Sequence, residues 1–489
     1  MPSISRLLKR IRNPGVPEFA LLALASLGLY LIGFVWPVNL LKLSAIPRLD
    51  RDLILHVSLP AYFWLIVAFL GEWGLYWLAW RMAGRLHGRL AWSIVILGML
   101  AFSLALLWMA PFDAADIYDN IMHGRILGLY AANPFQQVIA QYPGDPFFNF
   151  AVWQYSPSAY GPLWESLAGL AARLAGNGIL INVLAFKLLP GCFHLASVGV
   201  VGVYLRRSAP EQALQGVLLV GWNPIMLYET WGNGHNDAAM LFFILLAAWW
   251  MLRRHYTLAN LALVAGALIK FIPALLIPAA VVLAWRNLAG RRERAGFILK
   301  TALGGLLMMV IFYFPFWYGP ATFGVGRRME LFTTSLPAVI HQMLLPELGV
   351  GGAAQVVSLG AFGLLAVFIL VQSVRAQAAE RDFPWVAFCI LAFYLLVACL
   401  WFQQWYSLWL VGLAPLLPEG EKRLAILFGL WVLTKQFLFC PLINPGMLRD
   451  PQSVWLEAAL ASGVLGLPWL AALLHIRSSL PGKAARHAS

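Results

Sequence analysis

The chain has 489 residues, of which 61% are hydrophobic and only 11% charged. Soluble domains carry about a quarter charged residues, so this composition excludes a soluble protein on a single anchor and indicates an all-α, polytopic integral membrane protein. A formal charge of +13, from 34 basic and 21 acidic residues, fits cytoplasmic loops obeying the positive-inside rule, and no nucleic-acid partner is implied.

Apolar runs predict membrane helices at 17–36, 55–80 and 90–110. The basic stretch MPSISRLLKRIRNPG leads into the first run, which is long enough to span and lacks a clear small-residue cleavage site. It reads as a retained helix with its N-terminus inside. The loop RMAGRLHGR is basic and therefore cytoplasmic, which puts the next loop outside.

That next loop, 111–164, is the one long polar interval of the chain. It holds Asp113, Asp116, Asp119, His123, Arg125 and Asp145 among many aromatics, with few Ser, Lys or Glu. Such a composition argues for a structured loop rather than disorder. Beyond it, basic loops at Arg206–Arg207, Arg253–Arg254, Arg286–Lys300, Arg375–Arg381 and Lys422–Arg423 leave 223–237, 318–350, 401–406 and 440–453 outside. Segments 257–285 and 384–418 then begin and end on one side. Each must be two short helices with an outer break, at LIKFIP (268–273) and WFQQWYS (401–407), and KLLPG (187–191) marks a further candidate break. The count comes to roughly 12–16 helices, short broken ones included, with both ends inside. The organisation is N-terminal helices (1–110), the outer loop with short helices (111–164), core helices (165–318), a second outer loop (319–350), and C-terminal helices with a cytoplasmic tail (351–489).

Three constellations carry chemistry. In DAADIYDN, Asp113, Asp116 and Asp119 are spaced by three, so a helix would put all three carboxylates on one face. Like charges held together raise one pKa, and such an acid serves as a general base near neutral pH. In GWNPIMLYETWGNGHNDAAM (221–240), Gly232 and Gly234 permit a tight turn, and Asn236 or Asp237 is placed to cap the next helix. His235, between two polar residues at a helix start, is hard to explain by packing. Lys270 in ALIKFIPALLIP must meet an anion, a carboxylate or a phosphate, or else snorkel to the interface. Gln404, Trp405 and Tyr406 combine hydrogen-bonding and stacking groups suited to a sugar, although an aromatic belt has the same composition. On the second outer loop, His341 is a further candidate beside Arg327 and Arg328, and the two arginines break the positive-inside trend and suggest an anionic headgroup. No GxGxxG or GxxxxGK[ST] occurs, so a nucleotide site is unsupported. The four cysteines, Cys192, Cys389, Cys399 and Cys440, lie in apolar context without metal spacing and read as small buried hydrophobes.

The motif DIYDNIMHGRILGLYAANPF resembles the first outer-loop motif of bacterial polyprenyl-phosphate-mannose-dependent mannosyltransferases, in which an Asp-x-Tyr unit precedes Gly-Arg and Asn-Pro-aromatic. YGPLW (160–164), NP…GNGHNDAAM (223–240), ALIKFIPALLIP (267–278) and QQWYSLWLVGLAPL (403–416) are similar to later blocks in the same order. The resemblance implies a GT-C fold, as in alpha-1,6-mannosyltransferases. It also implies inverting transfer of a hexose, mannose first, from a polyprenyl-phosphate sugar to a glycan or glycolipid acceptor at the outer face of the cytoplasmic membrane. On this pattern Asp116 is the base, with Asp113 in reserve. Asp119, Arg125, Tyr160, His235, Asn236, Asp237, Lys270, Arg327, Arg328, His341, Gln404, Trp405 and Tyr406 are the substrate-binding candidates. The chain reads Tyr-Asp-Asn where the family often has Tyr-Arg-Tyr, so Asp119 makes the cluster more acidic. No cofactor is expected, and a monophosphate leaving group does not require a divalent metal between Asp113 and Asp116. Two rival readings are a transporter or flippase of lipid-linked saccharides and a non-catalytic subunit. Against the first, the chain lacks two related halves.

Overall fold

The computed structural model describes residues 15–44, 59–111, 115–323, 331–375, 382–433 and 454–479. Its elements are helices, with two isolated β-bridges among the described residues. In chain order they are α1 (Val16–Tyr30), α2 (Leu59–Ala83), α3 (Arg89–Leu107), α4 (Asp116–Gly128), α5 (Pro162–Ala175), α6 (Ile179–Ser208), α7 (Ala213–Gly221) and α8 (Asp237–Leu252). They continue with α9 (Tyr256–Ala267), α10 (Ile277–Asn287), α11 (Arg291–Tyr313), α12 (Leu336–Arg375), α13 (Phe383–Phe393), α14 (Leu408–Leu413), α15 (Glu419–Trp431) and α16 (Val454–Ser479). Among the described residues, six helices are long and apolar enough to cross a membrane and five shorter apolar ones accompany them. This is an all-α polytopic membrane protein.

Both expected breaks are present. α9 ends at Ala267, and the chain turns through Leu268–Phe271 before a 3₁₀ turn and α10. α13 runs on through a π-turn, Tyr394–Ala398, and opens at Cys399–Gln403 before the 3₁₀ turn Gln404–Ser407 and α14. Exposed backbone at membrane depth must find partners within the protein. In the first break the Ile269 carbonyl accepts Gly161 N–H (2.8 Å) and the Leu268 carbonyl accepts Leu163 N–H (3.0 Å). In the second, Thr333 N–H donates to Leu400 O and Phe402 N–H to Thr333 O, both at 3.1 Å. Each break is therefore held by a segment distant in sequence, residues 161–163 in the first case and Thr333 in the second.

KLLPG does not break the chain: α6 runs unbroken through Pro190 for 30 residues. Lys187 is drawn inward instead, its Nζ donating to the carbonyls of Leu106 (2.8 Å), Leu107 (2.9 Å) and Met109 (2.6 Å). A cation at those orphan carbonyls satisfies the C-terminus of α3 and explains an intramembrane lysine. The expected second outer loop, 319–350, is helical from Leu336, where α12 starts and continues past a kink at Gly349. Cys192 is exposed on α6 rather than buried, and Cys440 lies outside the described residues.

The loop expected at 111–164 is folded over its described residues, 111 and 115–164. α4 packs on α5 through Gly124 and Gly128, one turn apart. A Cβ at Gly124 would stand 2.6 Å from the Ala168 carbonyl, and one at Gly128 would stand 2.2 Å from that of Gly169. Small residues at this spacing let helix backbones approach closely. Asn133 donates to Phe316 O (2.8 Å) and Tyr318 donates to Phe135 O (2.8 Å), fastening the loop to the far end of α11.

Candidate active site

The N-terminus of α4, the turn before α8 and the two breaks meet at one end of the bundle. Asp116 opens α4, half buried. Its next residue, Ile117, packs under Gly234, where a Cβ would stand 2.6 Å from the Ile117 side chain. Gly234 has φ +75°, a conformation that suits glycine. This contact brings the GNGHND turn against the acid-bearing helix.

The turn is preceded by a π-helical segment, Tyr228–Gly232, a geometry enriched at functional sites. It carries Glu229, which the sequence reading did not single out. Glu229 accepts from Asn233 Nδ2 (3.2 Å), its carbonyl accepts His235 N–H (2.9 Å), and its carboxylate lies 3.3 Å from His235 Nε2. The imidazole stacks on Trp405, with ring centroids 4.0 Å apart and planes within 17°. Burial alone would lower the His235 pKa. Glu229 first, then Asp116 and Asp237, outweigh burial and leave it raised.

Lys270 meets the expected anion. Its Nζ donates to both carboxylate oxygens of Asp237, at 2.9 and 3.1 Å. Trp409 Nε1 donates to the same carboxylate at 2.7 Å. Neither Asn236 nor Asp237 caps α8 through its side chain: Asn236 holds the cap position without a side-chain bond, and Asp237 is spent on Lys270. The ammonium sits over Tyr406 (4.5 Å), Trp409 (5.6 Å) and Tyr160 (6.0 Å), so aromatic faces surround it. Tyr406 and Trp409 stack on each other at 4.8 Å.

The loop side of the site has its own support. Trp164 donates to Asn120 Oδ1 (2.7 Å), linking α5 to α4. Glu165, also missed in the sequence reading, is fully buried and accepts from Ser158 Oγ (2.5 Å), and burial pushes its pKa up to about 7. The signals for Glu229, Glu165 and Trp409 were present in the quoted blocks YETWGNGHND, YGPLW with the residue after it, and QQWYSLWL. Each was masked by apolar neighbours.

Asp116, Tyr160, His235, Asp237, Lys270, Trp405 and Tyr406 thus converge, with buried Asn236 and Gln404 beside them in the chain. Three other candidates are placed elsewhere. Arg125 is buried and tied to Asp145 (2.7 Å), the Gly176 carbonyl (2.6 Å) and Asn177 (3.1 Å), so it braces the outer loop against the end of α5. Asp119 turns to accept the backbone N–H groups of Val152 (3.0 Å) and Trp153 (2.9 Å). Asp116 and Asp119 both stand in the first turn of α4, and the Asp119 carboxylate is engaged by the loop backbone. His341 stacks on Phe332 at 4.0 Å within α12 rather than on an outer loop. Asp113, Arg327 and Arg328 lie outside the described residues.

Residues 21–287, more than half of the chain and including α4, the GNGHND turn and Lys270, match the family model described as alpha-(1->6)-mannopyranosyltransferase, N-terminal domain. The chain belongs to this family. The resemblance read from its loop motifs is borne out at that level. It is also similar to alpha-(1->6)-mannopyranosyltransferase A of Corynebacterium glutamicum, 24% identical over 198 residues. That alignment covers 39% of this chain and 39% of the relative's own length. The family match ends at residue 287, so Trp405, Tyr406 and Trp409 join a site whose other parts lie inside the matched region.

Proposed function

We propose that the chain is an alpha-mannosyltransferase that moves mannose from a polyprenyl-phosphate donor to a glycan or glycolipid acceptor at the outer face of the cytoplasmic membrane. The observation that carries this reading is the meeting of one half-buried carboxylate, Asp116, with the Lys270 ammonium and the Glu229-held His235 imidazole over an aromatic floor. The family assignment and the name of the corynebacterial relative supply the sugar. The basic loops supply the sidedness.

Asp116 accepts the proton of an acceptor hydroxyl as that oxygen attacks the sugar's anomeric carbon. The bond from that carbon to the phosphate oxygen breaks, the anomeric configuration inverts, and polyprenyl phosphate departs with the bonding pair. Charge grows on the phosphate, and Lys270 and the His235 imidazolium stabilise it. Asp237 holds the ammonium in place while a third N–H of Lys270 stays available to a phosphate oxygen. Glu229 holds the imidazole and favours its charged form. Trp405 and Tyr406 offer faces for the sugar ring. This reading uses no cofactor.

The test is transfer of radiolabelled mannose from polyprenyl-phosphate mannose to a saccharide panel by the purified protein. Asp116→Asn should lower turnover by about 10²–10⁴-fold, the usual contribution of a general base, without loss of fold. Wild-type turnover in that variant would remove Asp116 from the chemistry. Movement of intact donor across vesicles without transfer would replace the enzyme by a flippase.

A further inference from the structure

A cavity lies at the opposite end of the bundle from the candidate site. The α8–α9 hairpin leaves the candidate site at Asp237, turns at Arg253–His255 and returns to Lys270. Its first arm, α8, is 16 residues long, which sets the tip roughly 24 Å from Asp116's end at the helical rise. Between this tip and the first turns of α11 lies an open cavity of about 660 Å³.

Two separate segments bring cations to that cavity: Arg254 from the hairpin, with His255 beside it, and Arg292 and Lys300 from α11. Arg254 has φ +60°, a conformation L side chains rarely adopt, so the turn holds this arginine in place at some backbone cost. The one acid in the lining, Glu293, turns back to accept the Ala289 backbone N–H. The floor is open at Gly296, where an added Cβ would meet nothing within 4 Å.

The wall decides what fits. α11 is 23 residues long and buries only Phe297. Its outward side exposes Leu299, Leu303, Leu306, Leu307, Val310 and Ile311, so acyl chains must cover it. The positive-inside rule accounts for cations at this end of the bundle. It does not account for their convergence from two segments on a cavity beside a bare apolar helix.

We propose that this groove holds the phosphate headgroup of an anionic phospholipid, whose acyl chains lie along the exposed side of α11. Basic pockets at membrane-helix ends recognise such headgroups through this charge pattern. The far end of α11 leads to Phe316, whose carbonyl receives Asn133 of the first outer loop. A bound lipid therefore steadies the helix on which that loop rests. The proposal stands apart from the transferase reading, since its readout is lipid binding.

The experiment is native mass spectrometry of the full chain in detergent, titrated with phosphatidylglycerol or phosphatidylcholine of matched acyl chains. Phosphatidylglycerol should bind more tightly. Neutralisation in Arg292→Gln should weaken it about fivefold, and the pair Arg292→Gln with Lys300→Gln about 30-fold. Gly296→Leu, which keeps every charge and fills the floor, should weaken it as well. Arg423→Gln, at an exposed arginine paired with Glu419, should change nothing, and circular dichroism should show all variants folded. Equal retention of the two lipids would overturn the proposal, as would undiminished binding in both the paired and Gly296 variants. Displacement of the lipid by inorganic phosphate at equal concentration would reassign the groove to a free anion.

Discussion

The Lys270–Asp237 pair permits a separation of what holds the site together from what it does. Asp237 is 1% exposed and Lys270 13%, with both carboxylate oxygens within 3.1 Å of the ammonium. Removing one partner of a buried pair costs about 3–5 kcal/mol, because the other charge is left without its counter-ion. In Asp237→Asn the ammonium keeps some water and the aromatic faces of Tyr406, Trp409 and Tyr160, worth about 1–2 kcal/mol. The expected loss is therefore about 2–3 kcal/mol. In Lys270→Met the carboxylate keeps only the Trp409 indole among these partners, and the loss should be about 3 kcal/mol. The double variant removes both charges and should recover about 2 kcal/mol of the summed loss, a coupling in the range seen for residues in contact. Thermal unfolding in detergent measures the stability cycle, and mannose transfer is read on the same three proteins. Transfer should be lost in Lys270→Met and not return in the double variant, because the phosphate has lost its ammonium in both. Additive stabilities would show that the pair is not coupled. A double variant with wild-type transfer would remove Lys270 from phosphate binding.

Three further outcomes follow from the same geometry. His235 has a net raised pKa, so its charged form is present below that pKa and transfer should fall as pH rises through it. Glu229→Gln should move this descending limb of kcat/KM to lower pH, and an unmoved limb would mean that Glu229 does not tune the imidazole. Glu165, raised by burial from 4.5 to about 7, keeps its proton in the folded chain over a window where the unfolded chain has lost it. Its stabilising contribution is thus full below about pH 4.5 and lost by about pH 7, a change of about 3 kcal/mol that should be absent in Glu165→Gln melting curves. Gly161→Ala places a Cβ 2.1 Å from the Leu268 carbonyl oxygen, so backbone must move beside Lys270. Transfer should fall at least about tenfold, since misplacement by about 1 Å can cost about 10². Gly144→Ala, where a Cβ meets nothing within 4 Å, is the matched control and should transfer normally.

The membrane character, both outer breaks and the family were legible in the chain because each leaves a local mark. Twenty-residue apolar runs, a lysine inside one of them, and blocks such as GNGHND need no long-range information. The site itself was only partly legible. Asp116, His235, Asp237 and Lys270 were chosen for polarity in apolar surroundings, and they do meet. Arg125 and Asp119 were chosen on the same ground, yet they brace the outer loop through Asp145 and through the backbone at 152–153. Polarity at a membrane boundary signals that a group must be satisfied, and it does not name the partner.

The amino-acid sequence by itself determined the solvent, the helical period and the places where helices must stop, since hydropathy and proline or glycine act within a few residues. Tertiary structure alone decided which polar groups face one another. What a carboxylate can do depends on what packing brings within hydrogen-bond reach, and Asp119 and Asp237 lie tens to over a hundred residues from the groups they bind.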